Sequence, residues 1–411
     1  MKIKNLTFYE KKLFKIFFGN SSAEVIQFAL APVIARIYTP VEFAYFVICM
    51  TFSEVILSFC ALKFEVGITK FHKENKKYLL ASILSSFLIT SLLSLISLIV
   101  SLIFFEDFFS ITNISYVLNI YFLVNVFNIY RCTELYYISE VRYKRVMKAK
   151  VISKSLINIS QILFSFLGKF GLIIGRLFGL VIGICTFKIN IITLRDVFSK
   201  EAFKEIFILL KKNKKMQTYL LLSSTTRQLH QNSNKIIIPF LFNNNLLGLY
   251  GWAYNYTIAP LGIIMNSISD TLFEDLSKYG KKKVIFRSLA LQLVIGTPFF
   301  LILYFFGFEI FQFIFGTQWA KAGEIAEILS PYLFFTFMTS PNVSIYYVLN
   351  KEKDLFKFDI WNFITSIIAF ISGYFVYNTF EKSLELFVLV GVLNYLYLFV
   401  KILITSNKNF D

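Results

Sequence analysis

Apolar runs of about 20 residues recur along the whole chain, each long enough to cross ~30 Å of hydrocarbon as a helix. Short polar breaks separate them. The pattern predicts twelve helical spans, roughly 13–38, 40–62, 78–104, 114–138, 149–168, 171–194, 218–241, 246–273, 285–308, 323–349, 358–378 and 383–404. The seventh is predicted against its own hydropathy. Its centre, Ser223 to Lys235, reads SSTTRQLHQNSNK and is almost wholly polar.

Charge decides for that span. With the N-terminus placed in the cytoplasm, the outer loops hold only Lys169, Lys321 and Lys382, while the inner segments hold 32 of the 42 basic residues. Omitting span seven would invert every later loop and destroy this asymmetry. The expected fold is therefore an all-α integral membrane protein of twelve transmembrane helices in two six-helix bundles, with both termini cytoplasmic. The halves divide as 1–205, which includes the start of the central loop, and 206–411.

A weak repeat at an offset of 205 supports two like halves, pairing Tyr45 with Tyr250, Glu65 with Asp270 and Gln27 with Asn232. Paired bundles in one orientation suit a transporter with a central site.

Composition removes other classes. Hydrophobic residues are 56% of the chain and charged residues 16%, too apolar for a soluble protein of 411 residues. The net charge of +17 lies in short loops between spans, so it does not point to nucleic acid. The four cysteines lack metal-ligand spacing, and neither a metal site nor a disulfide framework is expected. No small-residue cleavage site follows the basic N-terminus, so no removable leader is expected. No phosphate-binding loop of the Walker type is present. The outer loops reach about 15 residues at most, which leaves no place for an outer catalytic domain. No catalytic residue is expected.

Leaving aside the residues at span ends, which count with the inner segments, seven cations fall inside spans: Arg36, Arg131, Lys154, Arg176, Lys188, Arg227 and Lys235. A cation in hydrocarbon faces protein or water, or snorkels to the headgroups. Lys154 and Lys188 lie toward inner ends and suit snorkelling. Arg131 is one turn from Glu134, within reach of an intrahelical ion pair. Arg227 is nearest mid-depth and cannot lose its proton, which makes it the first choice for an anionic substrate. Lys235, His230, Gln231 and Asn234 share its stretch, and Arg36 and Arg176 are outer candidates. The buried acids Glu24, Glu54 and Asp270 are candidates for ion coupling, because an intramembrane carboxylate can carry a proton or Na⁺. An Na⁺ or H⁺ gradient and the membrane potential all stay open as energy sources, and no cofactor is expected. Glycines at 171, 175, 179 and 183 form a small-residue stripe read as a packing face.

The stretch from Gly19 to Ile68 contains Ala35-Arg36-x-Tyr38-x-Pro40-x-x-Phe43 and then Phe64-Glu65. It resembles the opening of bacterial polysaccharide-biosynthesis flippases of the O-antigen (Wzx) type. The segment 243–264, NNNLLGLYGWAYNYTIAPLGII, and the block 315–351, which begins FGTQW, resemble later parts of the same family. Ala44 stands where glycine is usual and Phe64 where tyrosine is common. The resemblance implies a MATE-like fold in the bacterial inner membrane. It also implies a substrate, an oligosaccharide repeat unit of O-antigen or capsule on undecaprenyl diphosphate. That unit would be flipped from the cytoplasmic to the outer leaflet by alternating access through a cationic cavity. Expected partners are that lipid, the surrounding membrane lipids, and the polymerase and chain-length proteins of the same pathway. Two alternatives remain: a multidrug exporter of the same superfamily, and, less favoured, a membrane polysaccharide polymerase or glycosyltransferase.

Overall fold

The computed structural model describes residues 25–104, 111–187, 194–279, 282–349 and 351–409, and every element among them is helical. Helix α1 (Val25–Ile37) turns tightly into α2 (Pro40–Cys60). The turn is a capping box. Glu42 N–H donates to Thr39 Oγ1 at 3.3 Å, Thr39 N–H donates to Glu42 Oε2 at 2.9 Å, and Pro40 occupies the first helical position. After α2 the chain breaks. Leu62 and Lys63 adopt positive φ of 48° and 58°, and α3 (Phe64–Lys70) begins.

Then follow α4 (Asn75–Phe104), α5 (Ile111–Ser139), α6 (Tyr143–Leu163), α7 (Lys169–Thr186), the short α8 (Leu194–Val197) and α9 (Lys200–Leu241). The series closes with α10 (Asn244–Tyr279), α11 (Lys282–Phe315), α12 (Ala320–Thr339), α13 (Ser344–Val348), α14 (Glu352–Tyr377) and α15 (Phe380–Asn409). Each of the twelve predicted spans is occupied by helix over its described residues. Six of these helices, α2, α4, α7, α11, α14 and α15, are long and apolar enough to cross a membrane on composition alone. Large apolar side chains lie on the outside, such as Val294 (73% exposed) and Phe313 (86% exposed), as expected of a surface solvated by lipid. The protein is a multi-pass membrane protein.

Two spans differ from expectation in their ends. The seventh is the last part of α9, whose 42 residues run about 63 Å, roughly twice the hydrocarbon thickness. The start of α9 is amphipathic, and Ala202, Ile206 and Leu209 are buried in a core with Phe64, Tyr78 and Leu79. The tenth span is interrupted. Pro341 opens a 3-10 turn between α12 and α13, because a proline cannot donate to the preceding turn.

The chain forms two compact units, one of Met1–Leu30 with Tyr45–Gln228, the other of Ala31–Ala44 with Leu229–Asp411. In the first, the glycine stripe of α7 packs on α6 as predicted. A Cβ on Gly175 would lie 2.6 Å from Gln161 N, and one on Gly179 would lie 2.5 Å from Ile157 N.

In the second unit, an aromatic box gathers residues from all three segments that carry the sequence resemblance. The Trp252 and Trp319 rings stack at 4.2 Å, and Phe43 meets them edge-on at 4.7 and 5.9 Å. Phe315 closes the box at 5.4 Å from Trp252. The Ala35 carbonyl accepts from the Trp319 indole at 2.7 Å. Gly316, at φ 103°, makes the bend from α11 into the turn that carries Trp319, a conformation open to glycine. A Cβ on Gly248 would lie 1.8 Å from the Pro40 carbonyl oxygen, so the hairpin seats against bare backbone there. These motif residues are packing residues.

Candidate functional site: the polar stretch of α9

Ser224, Arg227, Gln231 and Asn234 recur at helical spacing, and α9 is continuous through all of them. In the first unit, Ser224 Oγ donates to the Ser58 carbonyl at 3.3 Å, and Ser58 Oγ donates to Thr225 Oγ1 at 3.1 Å. The polar stretch is thus sewn to α2, one turn beyond the half-buried Glu54. Arg227 is half-buried, one turn along α9.

In the second unit the same helix presents His230, Asn232, Asn234 and Lys235. Asn234 Nδ2 donates to the Tyr250 hydroxyl at 3.2 Å, and its Oδ1 is buried without a partner. Lys235 Nζ donates to Asn232 Oδ1 at 3.2 Å and lies 5.0 Å from the Tyr254 ring centroid. Tyr254 stacks on Tyr250 at 6.2 Å. An ammonium over a ring gains electrostatic energy that hydrocarbon otherwise denies it. His230 is buried at 7% exposure, with Nε2 2.9 Å from Asn362 Nδ2, whereas Gln231 is exposed.

The remaining cations have separate surroundings. Arg36 is exposed near the end of α1, while the half-buried Arg176 guanidinium lies 5.9 Å from the Phe46 ring centroid. Lys154 Nζ donates to Gln27 Oε1 at 3.3 Å. The expected pairing of Arg131 with Glu134 is not formed. Glu134 pairs with Lys150 of α6 at 2.5 Å, and Arg131 points to the exposed face. A cation from a facing helix reaches that carboxylate more directly than one three residues back. Asp270 sits within α10. Glu24 and Lys188 lie outside the described residues.

Sequence reading passed over three groups. Glu65 stands out in the sequence only as a motif residue and as the repeat counterpart of Asp270. It is buried, with Lys63 Nζ donating to Oε1 at 3.3 Å and Oε2 without a partner. In the sequence Lys169 is an outer-loop charge. It lies 4.8 Å from the Tyr45 ring centroid, and the Tyr45 hydroxyl accepts from Asn119 Nδ2 at 2.9 Å. Asn362 and Asn394, lone amides in apolar spans eleven and twelve, bond to one another at 2.9 Å. A central amide in an apolar span is the signal that could have found them.

The fold is that of the MATE-like transporters. The lipid II flippase MurJ in an inward closed conformation aligns at a TM-score of 0.71 and 17% identity, over 94% of this chain and 90% of that one. An inward-facing multidrug resistance MATE transporter of the MOP superfamily aligns at 0.65 and 12% identity, over 95% and 94%. The eukaryotic MATE transporter AtDTX14 aligns at 0.62 and 15% identity, over 97% of each chain. No curated protein matches by sequence. Residues 33–324 match the polysaccharide biosynthesis protein family, and the chain belongs to that family.

Proposed function

We propose that this protein is a flippase for oligosaccharide repeat units carried on undecaprenyl diphosphate, moving them from the cytoplasmic to the outer leaflet of a bacterial inner membrane. The observation that carries this reading is the α9 stretch. It places Arg227, Lys235 and a run of amides and hydroxyls inside a membrane protein of a polysaccharide-biosynthesis family. Guanidinium and ammonium groups can take over the hydration of a diphosphate in a medium where water is scarce. Arg227 is the principal phosphate contact. Lys235 is a second, eight residues further along the sequence. The amides offer hydrogen bonds to sugar hydroxyls. Alternating access, with both termini cytoplasmic, would carry the headgroup across while the lipid tail stays in the bilayer. An exporter of organic cations would call for carboxylates in this stretch, and Ser223–Lys235 contains none.

The test is genetic and biochemical. A deletion strain should accumulate lipid-linked repeat units on the cytoplasmic side and lose surface polysaccharide, and the intact gene should restore display. The Arg227→Ala variant should reach the membrane at normal level and fail to restore it. Normal polymer display by Arg227→Ala would overturn the assignment.

A further inference from the structure

The His230 side chain ends a hydrogen-bonded relay through α14 and α15, and the direction of every bond in it can be read. The indole N–H of Trp361 can only donate, and it lies 3.3 Å from Asn394 Oδ1. The Asn394 amide nitrogen therefore faces the other way, toward Thr365 Oγ1 at 2.8 Å and Asn362 Oδ1 at 2.9 Å. Thr365 agrees independently. Its hydroxyl proton goes to the Trp361 carbonyl at 2.8 Å, so toward Asn394 it must accept. Asn362 Oδ1 also accepts from Ser366 Oγ at 3.3 Å. That leaves Asn362 Nδ2 as the donor to His230 Nε2 at 2.9 Å. Nε2 must then be an acceptor, and the ring is neutral with its proton on Nδ1. Nδ1 is buried and meets no partner.

A second proton can enter this ring only at Nε2, where the Asn362 N–H group now points. Protonation therefore requires Asn362 to turn over. Its nitrogen would then meet the Asn394 nitrogen unless Asn394 turned as well, and that second turn would strand the Trp361 indole N–H. The relay has two polarities, one for each charge state of His230. Trp361, at 60% exposure, is the end that reaches the surface of the unit.

The nearest charged groups of the same helix are Arg227, one turn earlier, and Lys235, five residues later. The titratable groups nearest in register on the facing helices are Asp359, one turn before Asn362, and Tyr395, beside Asn394. Phe363 meets the imidazole edge-on at 6.5 Å. Among the described residues, the ring nitrogens themselves are bonded only to Asn362.

We infer that His230 is a proton-binding site of the C-terminal unit, and that its protonation reverses the Asn362–Asn394 relay joining α9, α14 and α15. The inference rests on the transporter reading, to which it adds a proton as coupling ion. A buried imidazole with two bonding polarities is the kind of group that turns pH into a change between packed helices.

The chain has one other histidine, His72. In the His72→Gln protein, labelled with ¹⁵N-histidine and held in lipid nanodiscs, His230 is the sole imidazole signal. The expected spectrum at alkaline pH is that of the neutral ring protonated at Nδ1. Acidification should convert it to imidazolium while the Trp361 indole N–H resonance, identified by its loss in Trp361→Phe, shifts with the same midpoint. Trp361→Phe should move the histidine midpoint to higher pH, since it removes the donor that the protonated state strands. Asn362→Leu should abolish the preference for the Nδ1 tautomer. A ring protonated at Nε2 when neutral would overturn the inference. So would a ring that stays neutral to the acid limit of the folded protein, or protonation with Trp361 unmoved. No substrate is needed, so this outcome is independent of the Arg227→Ala result.

Discussion

At an offset of 205 residues, Gln27 and Asn232 occupy corresponding places, and each carries an oxygen that accepts from a lysine. Lys154 Nζ lies 3.3 Å from Gln27 Oε1, and Lys235 Nζ lies 3.2 Å from Asn232 Oδ1. Tyr45 and Tyr250 correspond as well, and each hydroxyl accepts from an asparagine, Asn119 in one unit and Asn234 in the other. An ammonium sits over Tyr45 in the first unit and over Tyr254, the ring stacked on Tyr250, in the second. The helices supplying these partners differ. In the first unit they come from α5, α6 and α7, and in the second the lysine and the asparagine both come from α9. One helix therefore gathers in the second unit what three helices share in the first. Glu65 and Asp270 diverge further, because Glu65 follows the break at Leu62–Lys63 whereas α10 runs unbroken through 270. A repeat can thus keep its polar roles while redistributing them, and here the redistribution concentrates chemistry on α9.

The largest expected effect tests how the second unit is assembled. Gly248→Ala would drive a methyl into the Pro40 carbonyl oxygen, where a Cβ has only 1.8 Å. Gly183→Ala in the first unit meets side chains, Ser153 Cβ and a Tyr130 ring carbon, each at 2.8 Å. Backbone cannot yield as side chains can. Gly248→Ala should cost about 3 kcal/mol or more and Gly183→Ala about 1 kcal/mol, within the usual range for overpacking. Thermal unfolding in detergent measures both. Equal losses would show that the hairpin seat is no tighter than the α6–α7 contact.

A middle-sized effect compares two amide seams. In the first unit Asn125 Oδ1 accepts from Ser86 at 3.1 Å, and Asn125 Nδ2 donates to Thr90 at 3.0 Å. Both neighbours keep other bonding, since Ser86 Oγ lies 3.6 Å from Cys60 Sγ and Thr90 bonds the Ser86 carbonyl at 2.7 Å. Asn362 has no such insurance, because its loss leaves the only bonded nitrogen of His230 without a partner. A stranded buried polar group costs about 1–3 kcal/mol. Asn362→Leu should therefore lower stability by about 3 kcal/mol, and Asn125→Leu by about 1–2 kcal/mol. A reversed order in chemical denaturation would place the tighter polar seam in the first unit.

Much of this architecture was legible because membrane helices must satisfy their own backbone, so hydropathy and loop charge mark the spans directly. Span seven was legible only through charge. Its residues are polar because they bond to α2, α10 and α14, which hydropathy cannot see. The roles of the motif residues were not legible. Ala35 and Phe43 lie more than two hundred positions before Trp252 and Trp319, and all four read as signatures until the box brings them together. Arg131 and Glu134 show the opposite failure. Helical spacing suggested a pair, and a lysine from a facing helix took the carboxylate. His230 was placed among substrate contacts by its position in the polar run, and only the bond to Asn362 shows what surrounds it.

The smallest expected effect lies at the solvated end of the first unit. There Lys212 Nζ, on the early part of α9, donates to Glu74 Oε2 at 2.8 Å and Oε1 at 3.1 Å and stands 5.8 Å from the Phe71 ring centroid. The second unit has a comparable exposed pair, Lys321 with Glu381 at 2.9 Å, and no ring contact was found for that lysine among the described residues. The hydrogen bond from Lys212 holds the Glu74 carboxyl below its ordinary value. A carboxyl lowered in the folded state contributes stability above its unfolded value and loses it as pH falls through the folded one. Lys212→Ala should therefore lower stability at neutral pH and make no difference once the medium is acidic enough to protonate Glu74. Both partners are open to solvent, so the difference should be small and fade with salt. Unfolding of the two proteins at neutral and acid pH, each at low and high salt, checks the sign. A difference that persists in acid would mean that Lys212 anchors α9 through Phe71 rather than through Glu74. The early part of α9 would then be held by packing alone, since Phe71 packs against the same core as its buried Ala202, Ile206 and Leu209.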